Sequence, residues 1–114
     1  NNEHYHFIDY ILDCVIEEWC NEMVFSKSDF FKHNLRGEVV VARNIAMVLI
    51  KVHTKLTYSE LAKLFNLSYK QNAHKIIKSH NDKEVSNKFD AKLLDKYEKI
   101  RIKILKFITT YNKA

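Results

Sequence analysis

The sequence predicts an all-α fold of five to six helices, on three observations. Its 114 residues contain no proline and one glycine, Gly37, which leaves almost nothing from which to build glycine-dependent hairpin turns. Apolar residues recur at i, i+3 and i+4 along most of the chain, the spacing that gives a helix one buried face. Thr57/Glu60, Ser68/Gln71 and Asn81/Glu84 have capping-box spacing, in which a side chain and its partner three residues on satisfy each other's free helix-start amides. With 46% apolar residues, a chain of this length fills one core without staples, so residues 1–114 are expected to be a single domain. Its core is expected over about 7–80, with a C-terminal helix over about 82–111.

The first helix is expected over residues 4–23. Phe7, Ile8, Ile11, Leu12, Val15, Ile16, Trp19 and Met23 trace its apolar stripe, and Glu17, Glu18 and Glu22 its exposed side. The pattern breaks at Phe25, Ser26 and Lys27. Ser28 is the expected cap of a short turn holding Phe30 and Phe31, and residues 33–37 read as a loop. Val39, Val40 and Val41 suit a strand, but the pattern continues through Ile45, Val48, Leu49 and Val52, too far for one, so residues 38–53 are a helix. Two short helices come next, opened by Thr57 and Ser68, with Asn66 where the chain must turn. The last helix carries Val85, Phe89, Leu93, Tyr97, Ile100, Ile104, Phe107 or Ile108, and Tyr111. That stripe is longer than a small core needs. It is expected to pack at its start and extend at its end as a coiled-coil or partner-binding arm.

Several function classes fall away. A phosphate-binding loop or dinucleotide fingerprint needs more than one glycine, and no cofactor is expected. There is no apolar run long enough to span a bilayer and no signal-peptide pattern at the start, so a cytoplasmic location without membrane contact is expected. Cys14 and Cys20 stand six residues apart on the expected first helix, about 9 Å along its axis and on different faces, which rules out a disulfide between them. Reduced, mostly buried thiols are the expectation. His4 and His6 near the terminus do not make a metal site, and none is expected. Glu17 and Glu18 sit on a solvated helix face and no Ser/His/Asp grouping stands out, so an enzyme is not expected.

Charge is regional. Residues 1–48 hold 4 Lys/Arg against 8 Asp/Glu, whereas residues 49–80 hold 6 against 1 and residues 81–114 hold 9 against 5. The positive density therefore coincides with the two short helices and the long helix after them, as a polyanionic partner requires. On the second short helix Ala73, Ile76 and Ile77 face inward, while Gln71, His74, Lys75 and Lys78 face outward. A helix buried on one side and rich in lysine and amides on the other suits the major groove of double-stranded DNA. Gln71 is the expected base reader. Asn72 is more lateral, and Lys70 and Lys75 can reach guanine edges or phosphates. His74 points outward toward the DNA backbone. Tyr58, Ser59 and the amides opening the first short helix can hold phosphate. Arg36 and His33 on the loop are candidates for a minor groove, and Arg43 for a phosphate or an internal carboxylate.

Two runs of residues carry a resemblance. Arg43, Asn44, Ile45, Ala46 and Met47 resemble the Arg-Gln-Ile-Ala-Met-like run on the third helix of the C-terminal DNA-binding domain (domain IV) of DnaA, the bacterial replication initiator family. Leu56, Thr57, Glu60, Leu61, Ala62 and Phe65 resemble the Leu-Ser-x-x-Glu-Ile-Gly-x-x-Phe-like run that opens that family's helix-turn-helix. The resemblance is good over about 36–66, weaker over 7–80 and absent beyond. It implies a Trp-repressor-like helix-turn-helix fold, and it places Tyr69 at a DNA-contact position although helical spacing puts Tyr69 on the buried side. The family's Gly-Gly-Arg-Asp-His-Thr-Thr-Val motif is missing. In its place stand Asn66, Leu67, Ser68, Tyr69, Lys70, Gln71, Asn72 and Ala73, and the basic loop is thinned to Lys32, His33 and Arg36. The resemblance thus implies DNA binding with altered sequence specificity. The alternative is a protein-interaction or oligomerisation module, binding itself or another protein through the C-terminal helix. Single-stranded nucleic acid is a third option, without the aromatic platform that stacking needs.

Overall fold

The computed structural model describes residues 2–33 and 35–113, with side chains for 6–33 and 35–110. Among the described residues five α-helices run in order: α1 Asn2–Trp19, α2 Glu38–His53, α3 Tyr58–Leu64, α4 Lys70–Asn81 and α5 Lys88–Lys113, with a 3₁₀ turn over Lys27–Phe31 between α1 and α2. There is no strand among the described residues. The fold class is all-α, ending in a long helix, as the sequence predicts.

Helix α2 is the axis of the core. Ile45 through Ile50 are buried consecutively, so this stretch is covered on every side: by α1 and the 3₁₀ turn, and by α3 and α4. From α1 the stripe Ile8, Ile11, Leu12, Val15 and Trp19 enters this core, joined by Cys14. Helix α2 begins at Gly37, whose φ of +70° and ψ of −145° suit only a residue without a Cβ. A Cβ there would meet nothing within 4 Å, so backbone conformation and not space sets the requirement.

Helix α1 ends earlier than its stripe suggests. The amides of Glu22 and Met23 both fold back onto the Trp19 carbonyl (3.0 and 3.1 Å) and turn the chain there. One expectation fails as a result. Cys20 is exposed, with only Cys14 buried, and both are free. Glu22 stays exposed, as expected, and pairs with Lys96 of α5 at 2.8 Å. That hydrogen bond holds the Glu22 carboxyl below the usual range. Lys96, itself 8% exposed, also donates to the Glu18 carbonyl (3.1 Å) and lies 4.8 Å from the Trp19 ring centroid. The cap of the 3₁₀ turn is Ser26, not Ser28, with the Asp29 carboxylate accepting from the Ser26 amide at 2.9 Å.

The long helix differs most from expectation. Asn81 closes α4, so the Asn81/Glu84 pair caps nothing. The cap of α5 is Asn87, whose side-chain oxygen accepts from the Phe89 and Asp90 amides at 2.9 and 3.1 Å. Packing is also reversed along the helix. Val85 and Phe89 are 80% and 82% exposed, whereas Ile100 and Ile104 are fully buried. Near the far end Phe107 stacks on Tyr10 (4.1 Å between centroids) and Phe7 (6.0 Å) of α1. The end of the helix is therefore docked rather than extended as an arm, although Ile102 and Leu105 remain 43% and 40% exposed. Tyr111, the last residue of the expected stripe, lies outside the described side chains.

The α3–α4 connection is built from hydrogen bonds the sequence encodes. Thr57 accepts from the Glu60 amide (3.1 Å) and Glu60 from the Thr57 amide (3.0 Å), the expected capping box. At the end of α3 the Asn66 amide bonds to the Lys63 carbonyl (3.2 Å) and the Leu67 amide to the Ala62 carbonyl (2.8 Å), the paired closure of a Schellman motif. Asn66 takes the left-handed conformation this needs, with φ +57°. Its side-chain nitrogen donates to the Phe31 carbonyl at 2.6 Å. Replacing Asn66 with Ala is expected to cost about 1–2 kcal/mol through left-handed strain, in addition to the lost hydrogen bond. Replacing it with Gly should cost less, because only the hydrogen bond goes. Urea melts of the two variants check this, and equal losses would contradict it.

Candidate nucleic-acid interface

Helix α4 packs on α3 and α2 through Ala73, Ile77 and half-buried Ile76. Its outward surface therefore carries Lys70, Gln71, His74, Lys75 and Lys78, all exposed, with Asn72 half-buried on one flank as its lateral position predicts. No carboxylate lies within Lys70–Asn81. Lys78 is the partly neutralised member, ion-paired to Asp82 at 2.8 Å just past the helix end.

The opening of α4 departs from the sequence reading. Its N-cap is Tyr69, extended at φ −138° and ψ 142°, and no side chain caps the helix. The Ser68/Gln71 capping box does not form. The Schellman closure pins Leu67, and Ser68 and Tyr69 then carry the chain outward, so Ser68 arrives one residue too early to cap. The helix thus begins with amides that no side chain satisfies, carrying the partial positive charge of the helix dipole. Tyr69 is 68% exposed, which removes it from the core and places it beside Lys70 at this opening.

Tyr58 and Ser59 occupy the first turn of α3. Ser59 is exposed. The Tyr58 ring lies between His74 of α4 (4.7 Å between centroids) and the Lys51 ammonium of α2 (4.9 Å to centroid). This contact fixes His74 at the boundary of the two short helices.

The loop candidates start nearby. Phe31, whose carbonyl holds Asn66, also packs its ring on Phe65 at 5.5 Å, so the segment leading to His33 and Arg36 leaves from beside the α3–α4 turn. His33 and Arg36 are both exposed, while Lys32 is ion-paired to Asp29 at 2.6 Å. Arg43 stands apart from this group. It is half-buried on α2 and donates to the Asn44 side-chain oxygen (3.0 and 3.3 Å), an amide partner where an internal carboxylate was one expectation. Burial lowers its pKa. Sequence reasoning missed Asn44, Ser79 and His80, which share a groove beside α4. His80 sits one turn beyond Ile76 and Ile77, and its helical phase alone signals a buried histidine.

No group of three or more His, Cys, Asp or Glu among the described residues is placed to hold a metal ion, and His6 is exposed. No helix among the described residues is long and apolar enough to cross a membrane.

The geometry defines an all-α fold in which α4 presents a basic, amide-rich face. No family model matches the chain, and no solved structure matches it. Part of it is similar to a curated protein, the chromosomal replication initiator protein DnaA of Oleidesulfovibrio alaskensis, at 34% identity over 55 residues. The match takes in 48% of this chain but only 12% of that protein's length. About half of the chain is therefore similar to a small part of a replication initiator, and the chain spans only that small share of the initiator's length.

Proposed function

We propose that this chain is a DNA-binding domain without catalytic activity that reads double-stranded DNA in a sequence-specific way. Helices α3 and α4 act as a helix-turn-helix on a Trp-repressor-like fold akin to domain IV of DnaA. The observation that carries the reading is the outward face of α4: lysines and amides, no carboxylate, and an opening turn left without a side-chain cap. Gln71 lies at the centre of that face and makes the bidentate base contact that suits adenine, with Asn72 on its flank. Lys70, Lys75 and Lys78 neutralise phosphates, and the first-turn amides of α4 take a backbone phosphate beside Tyr69. Ser59 and His74 meet the DNA backbone on the α3 side, and His33 and Arg36 reach a flanking groove. Arg43 has a supporting place on α2. The changed residues from Asn66 to Ala73 imply a target different from the initiator family's own.

Selection of bound duplexes from a random-sequence pool tests this. The expected result is an enriched motif, and its loss on Gln71→Ala would assign the base contact. Recovery of an unenriched pool would overturn sequence-specific reading.

The partly exposed Ile102 and Leu105 on α5 favour a second reading, an interaction module that associates through that helix. Sedimentation separates the two: a monomer at high concentration with no protein partner removes the second.

A further inference from the structure

Beside α4, on the flank away from Tyr58, a groove of about 280 Å³ opens between α2, α4 and the start of α5. Val41, Ile45, Ile76 and Leu93 supply its apolar wall. Its polar lining is Asn44, Ser79 and His80, and its charges are Lys75 and Lys83, with no carboxylate lining it. Neither lysine makes an ion pair among the described residues. His80 is only 9% exposed, and its Nδ1 is buried without a hydrogen-bond partner, while its ring rests 4.5 Å from that of Tyr97. An uncompensated buried polar nitrogen is costly to a fold, and such atoms are rare unless something else satisfies them. Burial first, and Lys83 second, lower the His80 pKa, so the ring is neutral at physiological pH. The groove is slightly smaller than the roughly 300–1,000 Å³ typical of drug-sized ligand sites, which restricts it to a small molecule.

We propose that this groove binds a small organic acid with a compact apolar body and a polar hydrogen. The carboxylate lies between Lys75 and Lys83, the apolar body covers Ile45, Ile76 and Leu93, and the polar hydrogen is offered to His80. Its consequence for DNA rests on the duplex-binding reading above. Lys75 belongs to both surfaces, so the acid and a DNA phosphate compete for one ammonium, and each weakens the other's binding by the same factor.

The test is a titration of the full chain, labelled with ¹⁵N, by 6-hydroxy-2-naphthoate. The neutral analogue 2-naphthalenemethanol serves as control, and both are followed by amide shifts. Saturable shifts confined to the α2 and α4 walls, Lys83 and Leu93 are expected, with Lys83→Gln weakening the acid at least fivefold. Shifts scattered over the surface, no saturation, or equal affinity for the neutral analogue would overturn the site. Duplex affinity is measured separately with and without the acid. A domain that binds the acid but no duplex loses only the DNA reading, and one that binds duplex but not the acid loses only the groove.

Discussion

Replacing Trp19 with Ala is expected to destabilise the domain by about 3–5 kcal/mol, the usual cost of emptying a large aromatic site in a packed core. Against a total stability of roughly 5–15 kcal/mol for a domain of ordinary size, that removes about a fifth of the total at one end of the range and all of it at the other. The loss is large because Trp19 joins three elements. The side chain is fully buried, its indole N–H donates to Glu38 of α2 at 2.8 Å, and Lys96 of α5 covers its ring. Trp19→Phe keeps most of the apolar volume and removes only the hydrogen bond, so it should be the milder change. Thermal melts followed by circular dichroism check the ranking, and a Trp19→Ala protein as stable as the parent would contradict it.

The second large effect falls on binding. Changing Lys70, Gln71 and Lys75 together to Ala is expected to weaken duplex affinity at least about 100-fold. A lost base contact is worth roughly 1–3 kcal/mol, each lost phosphate contact adds to it, and every 1.4 kcal/mol is tenfold. Folding should survive, since all three side chains are exposed. Unchanged affinity in a folded triple variant would remove α4 from the interface.

How much of the fold is legible in the sequence depends on the reach of each interaction. The Thr57/Glu60 box and the turn at Asn66 are closed by bonds between neighbouring residues, so spacing alone identifies them. The same spacing at Ser68/Gln71 and Asn81/Glu84 misleads, because what decides a cap is where the preceding chain lets the helix begin. At Ser68 the Schellman closure consumes the available residues, and at Asn81 the preceding helix has not yet ended. The outward face of α4 is legible from its helical phase. Tyr69 is not, since it precedes the helix and its phase carries no information. The direction of α5 is hidden for a different reason. Its stripe is apolar throughout, and only contacts from Lys96 to Glu22 and from Phe107 to Tyr10 select which part docks. Those pairs are more than seventy residues apart in the chain, beyond any local pattern.

The central claim is that the basic face of α4 binds double-stranded DNA. Fluorescence anisotropy of a labelled duplex, titrated with the purified domain at several salt concentrations, tests it most directly. The account predicts saturable binding whose logarithm falls linearly with the logarithm of salt, by about 0.9 per phosphate contact, with a shallower slope when Lys70 and Lys75 are replaced. Absence of binding at low salt, or a slope indifferent to those two lysines, would contradict it.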